Sequence, residues 1–344
     1  MIEEQPEQPE NAGETARRAV DAVGPAFVAS ELQLALFRSD ILYIPDQVRA
    51  RIYGFMDELW RSCSAMIDGI VDDGERTVVS KMAARENLPD KDSLIASVFI
   101  DPACLVLLFS RACEVNLVQC WADAGQAVAE CPPVWRNRET ADHQQLINSQ
   151  SRFLTNAEFM RLDSAEFSAL QWRRIVLRFA DVISLHCDAD ATEMRDTIQQ
   201  LLADHDESQA RLTQFAMYVD GKRAETLTHA HWQQSGPTLF MLELAARLNV
   251  PYDALLVASA MRDPALFALA LRAADVAAQD IVLIMGETPL AAVWFSSVTK
   301  AQQHAAMIAR HDPAAAHKAL SAWSDNDMIA GEAVFDHWPW TMTV

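Results

Sequence analysis

Apolar side chains recur along most of this chain at steps of three and four, and almost nowhere at steps of two. Between Gln47 and about Val71 the positions Val48, Ile52, Phe55, Leu59, Ser62/Cys63, Met66 and Ile70 fall on one stripe, predicting a long helix ended by Asp72-Asp73-Gly74. Asp101-Pro102 opens a second, running to about Ala124 through Leu105, Leu108, Ala112, Val115 and Gln119. The same period predicts helices over about Ala26–Arg38, Glu75–Asn87, Asp92–Ile100, Gln144–Ala157, Ala165–His186, Thr192–Ala203 and Ser208–Val219. From Gly125 to Asp142 it fails, and Cys131-Pro132-Pro133 with Trp135-Arg136-Asn137-Arg138 reads as loop. No Asn-Gly or Asp-Gly pair joins two alternating runs, so no hairpin is expected. The fold class that follows is all-α.

The stretch from Gly236 to Glu287 carries the most information. It consists of apolar runs two or three helical turns long, broken at Asn249-Val250-Pro251, Arg262-Asp263-Pro264 and Ala274-Asp275. A helix that short cannot bury its own apolar face, so each needs a neighbour. Asp101-Pro102, Asp263-Pro264, Thr288-Pro289 and Asp312-Pro313 each place a capping side chain before a proline suited to the first helical turn. The expected architecture is stacked antiparallel helices: a helical bundle over residues 15–125, a linker at 126–142, and an α-solenoid or helical-repeat-like domain over 143–330. An acidic tail (1–14), expected to be disordered, and a Trp-containing tail (331–344) flank them.

Four phrases in this pattern resemble a known family. They are Tyr43-Ile44-Pro45-Asp46 ahead of a long helix, Gln209 to Val219, Gly236-Pro237-Thr238-Leu239-Phe240, and Asp263 to Ala274. Together they resemble the mainly alphaproteobacterial family known as domain of unknown function 2336, over roughly Tyr43 to Glu287. The resemblance implies a helical-repeat architecture and a bacterial cytoplasmic setting. It brings no activity.

Charge narrows the partners. The formal charge of the whole chain is −20, spread along its length. Such a surface disfavours the phosphate backbone of nucleic acid and anionic lipid. Six cysteines without a C-x-x-C pair read as reduced thiols of a cytoplasmic protein, with Cys104 and Cys113 as buried, inert members of a helix. The first residues lack the basic start and apolar core of a signal peptide, and the strongest apolar run, Cys104–Phe109, is too short to span a bilayer.

Candidate chemistry is sparse. There is no G-x-x-x-x-G-K, no G-x-G-x-x-G and no G-x-S-x-G. His229 and His231, near Glu225, would chelate a metal only on an irregular loop, because residues two apart on a helix diverge by about 200°. His304, His311 and His317 read as surface residues, and His143 lacks the surroundings of a phosphotransfer histidine. The sharpest enzymatic alternative is a metal-dependent helical phosphohydrolase of the His-Asp type, with His186, His205 and Asp206 as metal ligands. The segment lacks the flanking apolar residue and glycine of such sites. The preferred expectation is therefore a non-catalytic protein without cofactor that binds a protein partner in a regulatory or scaffolding role, with a homodimer as a further possibility. Trp135 and Arg136 in the loop, and Trp338 and Trp340 beside Pro339 in the tail, are the expected contact residues, since tryptophan suits an interface anchor.

Overall fold

The computed structural model describes residues 46–70, 91–99, 102–124, 141–187, 210–220, 226–260, 265–289 and 311–317, with a few isolated positions between them. Helix accounts for 84% of the described residues and no strand occurs among them, so the fold is all-α.

The helices are α1 (Asp46–Ile70), α2 (Lys91–Phe99), α3 (Pro102–Asp123), α4 (Ala141–Glu158), α5 (Ala169–Cys187), α6 (Arg211–Asp220), α7 (His229–Ser235), α8 (Pro237–Leu248), α9 (Tyr252–Ala260), α10 (Ala265–Ala273) and α11 (Ala278–Gly286). One correction concerns the helix expected over Ala165–His186. A 3-10 turn, Ser164–Glu166, comes first, and α5 begins only after Ser168. Ser168 and Gln171 form a reciprocal capping box: the Gln171 N–H donates to Ser168 Oγ at 3.2 Å, and the Ser168 N–H donates to Gln171 Oε1 at 2.9 Å. The expected helices over Ala26–Arg38 and Glu75–Asn87 lie outside the described residues, as does most of Thr192–Ala203.

Compactness divides the chain into two units. One consists of Ala29–Asn116 with Ala127–Arg223, the other of Leu117–Gln126 with Ala224–Val344 and Met1–Val28. Helices on either side of the expected linker at 126–142 are thus gathered into one unit.

In the unit built on Ala29–Asn116 and Ala127–Arg223, α1, α2 and α5 pack against one another and α4 packs against α6. Val48, Ile52, Phe55, Leu59 and Cys63 of α1 are all buried, as their period predicts. Trp60 meets Phe179 edge to face, with ring centroids 4.8 Å apart. Cys104–Asp123 of α3 is apolar and long enough to cross a membrane, yet most of it is buried inside the protein. Its polar residues Ser110, Arg111 and Glu114 are buried too.

In the other unit α7 to α11 contact each other in chain order, and α7 also touches α11. Asn249 follows α8 with φ 53°, and the Val250 N–H reaches back to the Ala245 carbonyl at 3.1 Å. Asp275 follows α10 with φ 62°, and the Val276 N–H reaches the Leu271 carbonyl at 3.1 Å. Both are Schellman ends, with a left-handed residue followed by a buried valine. Between α7 and α8 the chain turns at Gly236 (φ 76°), where a side chain would be strained, and Pro237 occupies the first turn of α8. Asp312 caps the last described turn: its Oδ2 accepts the Ala315 N–H at 3.2 Å.

Candidate functional site

The group of side chains most like a reaction centre surrounds Arg211, at the first position of α6. Burial places its guanidinium beside Glu114 of α3, Glu166 of the 3-10 turn and Gln150 of α4. Arg211 Nη1 and Nη2 donate to the two oxygens of Glu114 at 2.7 and 2.9 Å, while Nε and Nη2 donate to the two oxygens of Glu166, both at 2.9 Å. Nη1 also donates to Gln150 Oε1 at 2.8 Å. All five N–H donors of the arginine are therefore used. The Phe153 ring covers one face, with its centroid 3.9 Å from Cζ. Arg111 adds a second cation, its Nε 3.3 Å from Glu166 Oε2.

Two buried carboxylates thus face two buried guanidinium groups. Burial alone would lower the Arg211 guanidinium, but Glu114 and Glu166 hold it well above its ordinary range. The cluster opens on a cleft of only about 20 Å³, lined among others by Arg152, Asn156, Arg161 and Asp163. That is room for water rather than for a substrate. Of the lining groups, Arg152 pairs with Asp163 at 2.8 Å and Arg161 approaches Glu58 at 3.7 Å. Such an arrangement can lock α3, α4, the 3-10 turn and α6 in register, but it leaves no donor of Arg211 for a ligand.

Sequence reasoning did not single out Arg111, Glu114, Glu166 or Arg211. A signal existed in α3, where a buried Arg and Glu three residues apart interrupt an apolar run, because charges enter a core only when paired. Glu114 meets Arg211 97 residues away, and Arg211 meets Glu166 45 residues away, so no local pattern announces these partners.

His229 and His231 both lie on α7, so they diverge and find separate carboxylates. His229 Nε2 is 2.7 Å from Glu287 Oε1, and His231 Nε2 is 3.0 Å from Glu243 Oε2. The second pair is too poorly aligned to count as a hydrogen bond. Glu287 also accepts from Trp232 Nε1 at 2.8 Å and Gln233 Nε2 at 3.5 Å, which ties α7 to the end of α11. Glu225 lies outside the described residues.

His205 stacks on Trp172, with centroids 6.0 Å apart, and its Nε2 lies 3.2 Å from the Phe167 carbonyl oxygen. Asp206 accepts from the backbone N–H and hydroxyl of Ser208 at 2.9 and 2.6 Å. His186 sits near the end of α5, with its side chain outside the described set. Nothing described brings His205, Asp206 and a third ligand together, and no group of three or more His, Cys, Asp or Glu converges among the described residues. His311 offers its backbone carbonyl to Arg272 Nε at 2.9 Å, and His317 is exposed. Trp135, Arg136, His304, Trp338 and Trp340 lie outside the described residues.

Cys63, Cys104 and Cys113 are buried and unbonded to one another. Burial pushes the Cys63 thiol up to about 12 and Cys113 higher still, far from the range of a nucleophile. Comparison with family models, with curated proteins and with solved structures finds no match to this chain.

Proposed function

We propose that this protein is a non-catalytic helical protein that binds another protein, in a regulatory or scaffolding role, in the cytoplasm of a bacterium. One observation supports it above the rest. The buried polar cluster most like a reaction centre spends every Arg211 donor on Glu114, Glu166 and Gln150. Interaction then falls to the exterior, which carries much of a charge of −20 together with exposed apolar side chains such as Phe159 and Met217, each 70% exposed. The resemblance to domain of unknown function 2336 belongs to the same reading, since stacked helices offer ridged surfaces suited to partners. Trp135, Arg136, Trp338 and Trp340 are the anchors proposed for contact.

The test is affinity capture of the tagged full chain from its own cells, beside the double variant Trp338→Ala, Trp340→Ala. The proposal expects a stoichiometric protein partner whose recovery falls at least about tenfold in the variant. Recovery of no such partner would overturn the reading. Undiminished recovery would remove the two tryptophans from it.

A further inference from the structure

The outward side of α5 departs from the rest of the chain in charge. Its inward arc is Trp172, Ile175, Val176, Phe179 and Ala180, all buried against neighbouring helices. At 100° per residue the opposite arc, about 140° wide, holds Leu170, Arg173, Arg174, Leu177, Arg178 and Asp181. Leu170 and Leu177 are 41% and 39% exposed, two turns apart on one line, and Arg173 and Arg178 are exposed on either side of them. Exposed Arg173 and Arg178 against exposed Asp181 leave the helix's own outward residues net positive on a chain whose total is −20.

We infer that this arc is a docking surface for an acidic amphipathic helix of a partner protein. The inference rests on the protein-binding reading above and names the partner's chemistry. Charge complementarity carries the choice. Arginines flanking an apolar line match a helix whose apolar residues recur every three to four positions with Asp or Glu beside them. Arginine also suits the task because its planar fork grips a carboxylate through two N–H donors. A basic partner would be repelled here and drawn instead to the acidic remainder of the surface. Apolar contact at Leu170 and Leu177 supplies affinity, while the arginines set orientation and accelerate encounter.

The experiment places p-benzoyl-phenylalanine at Leu177 in the full chain, irradiates it in extract of the native cell, and sequences the cross-linked peptide by mass spectrometry. A peptide from a different protein, with Asp and Glu outnumbering Lys and Arg, is expected. Adding Arg173→Glu and Arg178→Glu should cut the adduct at least about tenfold, and raising salt should weaken it likewise. Both arginines are exposed, so the variant should keep the wild-type circular dichroism and melting point. An adduct to the chain's own acidic residues 1–14, to a second copy, or to a basic peptide overturns the inference. So does an adduct that charge reversal leaves undiminished, or no adduct. If affinity capture still recovers a stoichiometric partner while the α5 adduct fails, this surface falls and protein binding stands; if both fail, both fall.

Discussion

At the scale of single residues, a buried charge is costly to leave without its partner. Removing one partner of a fully desolvated pair leaves the other unpaired, which costs about 3–5 kcal/mol. Arg211→Ala should therefore lower the urea midpoint by that equivalent, whereas loss of the exposed Arg152–Asp163 pair should cost under about 1 kcal/mol. Equal costs for the two would show that burial is not what matters. Arg51 presents the opposite case. It is buried, its Nε and Nη1 have no partner among the described residues, and burial lowers its guanidinium despite Cys113 and Glu158. An apolar chain of similar length avoids that desolvation, so Arg51→Met should raise the unfolding free energy measured in urea by about 1 kcal/mol or more. A fall would mean that the cation holds something in place. Cys63 yields a pH dependence of known sign. Its thiol ionises near 9.0 when unfolded and near 12 when folded. Its contribution is thus fully present below about pH 9 and is lost as pH rises towards 12. Labelling of Cys63 by a thiol reagent at pH 8 should proceed only at the rate of unfolding, followed by stopped-flow absorbance in urea.

At the scale of elements, helix ends are set by a small number of backbone devices. Met160 ends α4 with φ 57°, the Arg161 N–H reaching the Asn156 carbonyl at 2.8 Å. This left-handed residue lies against Gly54 of α1, where an added Cβ would stand 2.4 Å from Met160 Cβ. Gly54→Ala should cost about 1–3 kcal/mol. Met160→Gly should relieve most of that cost in the double variant, and a double-mutant cycle by urea denaturation measures the coupling. A similar argument predicts that Asp275→Gly is neutral or stabilising by up to about 1 kcal/mol, while Asp275→Val destabilises, as thermal melts would show.

These ends explain what could be read from the chain in advance. The breaks at Asn249 and Asp275 were legible because a short polar residue tolerates φ > 0 and a hydrophobic one follows. The starts at Pro102 and Asp312-Pro313 were legible because proline and a capping carboxylate act locally. The start of α5 was written in Ser168-Ala169-Leu170-Gln171, yet the apolar period runs on through Phe167 and hides it. Leu170 falls on that same period, yet it is 41% exposed. The Arg211 cluster lay beyond local reading, since it joins side chains from four elements far apart in the chain.

At the scale of the whole molecule, the buried charges of the described Arg211 cluster hold helices together, and the proposed role of the exterior is association. Lys and Arg number 28 against 48 for Asp and Glu, so the surface field is negative and long-range steering favours basic partner surfaces. The α5 arc is proposed as a local exception, and on that proposal the two together would orient a partner. The measurement closest to this account is native mass spectrometry of the full chain purified gently at its natural abundance. The account predicts a defined complex with a different protein, and no mass increment from a metal or nucleotide on the chain itself. A bare chain bearing a bound metal, with phosphoester turnover that His205→Ala abolishes, would contradict it.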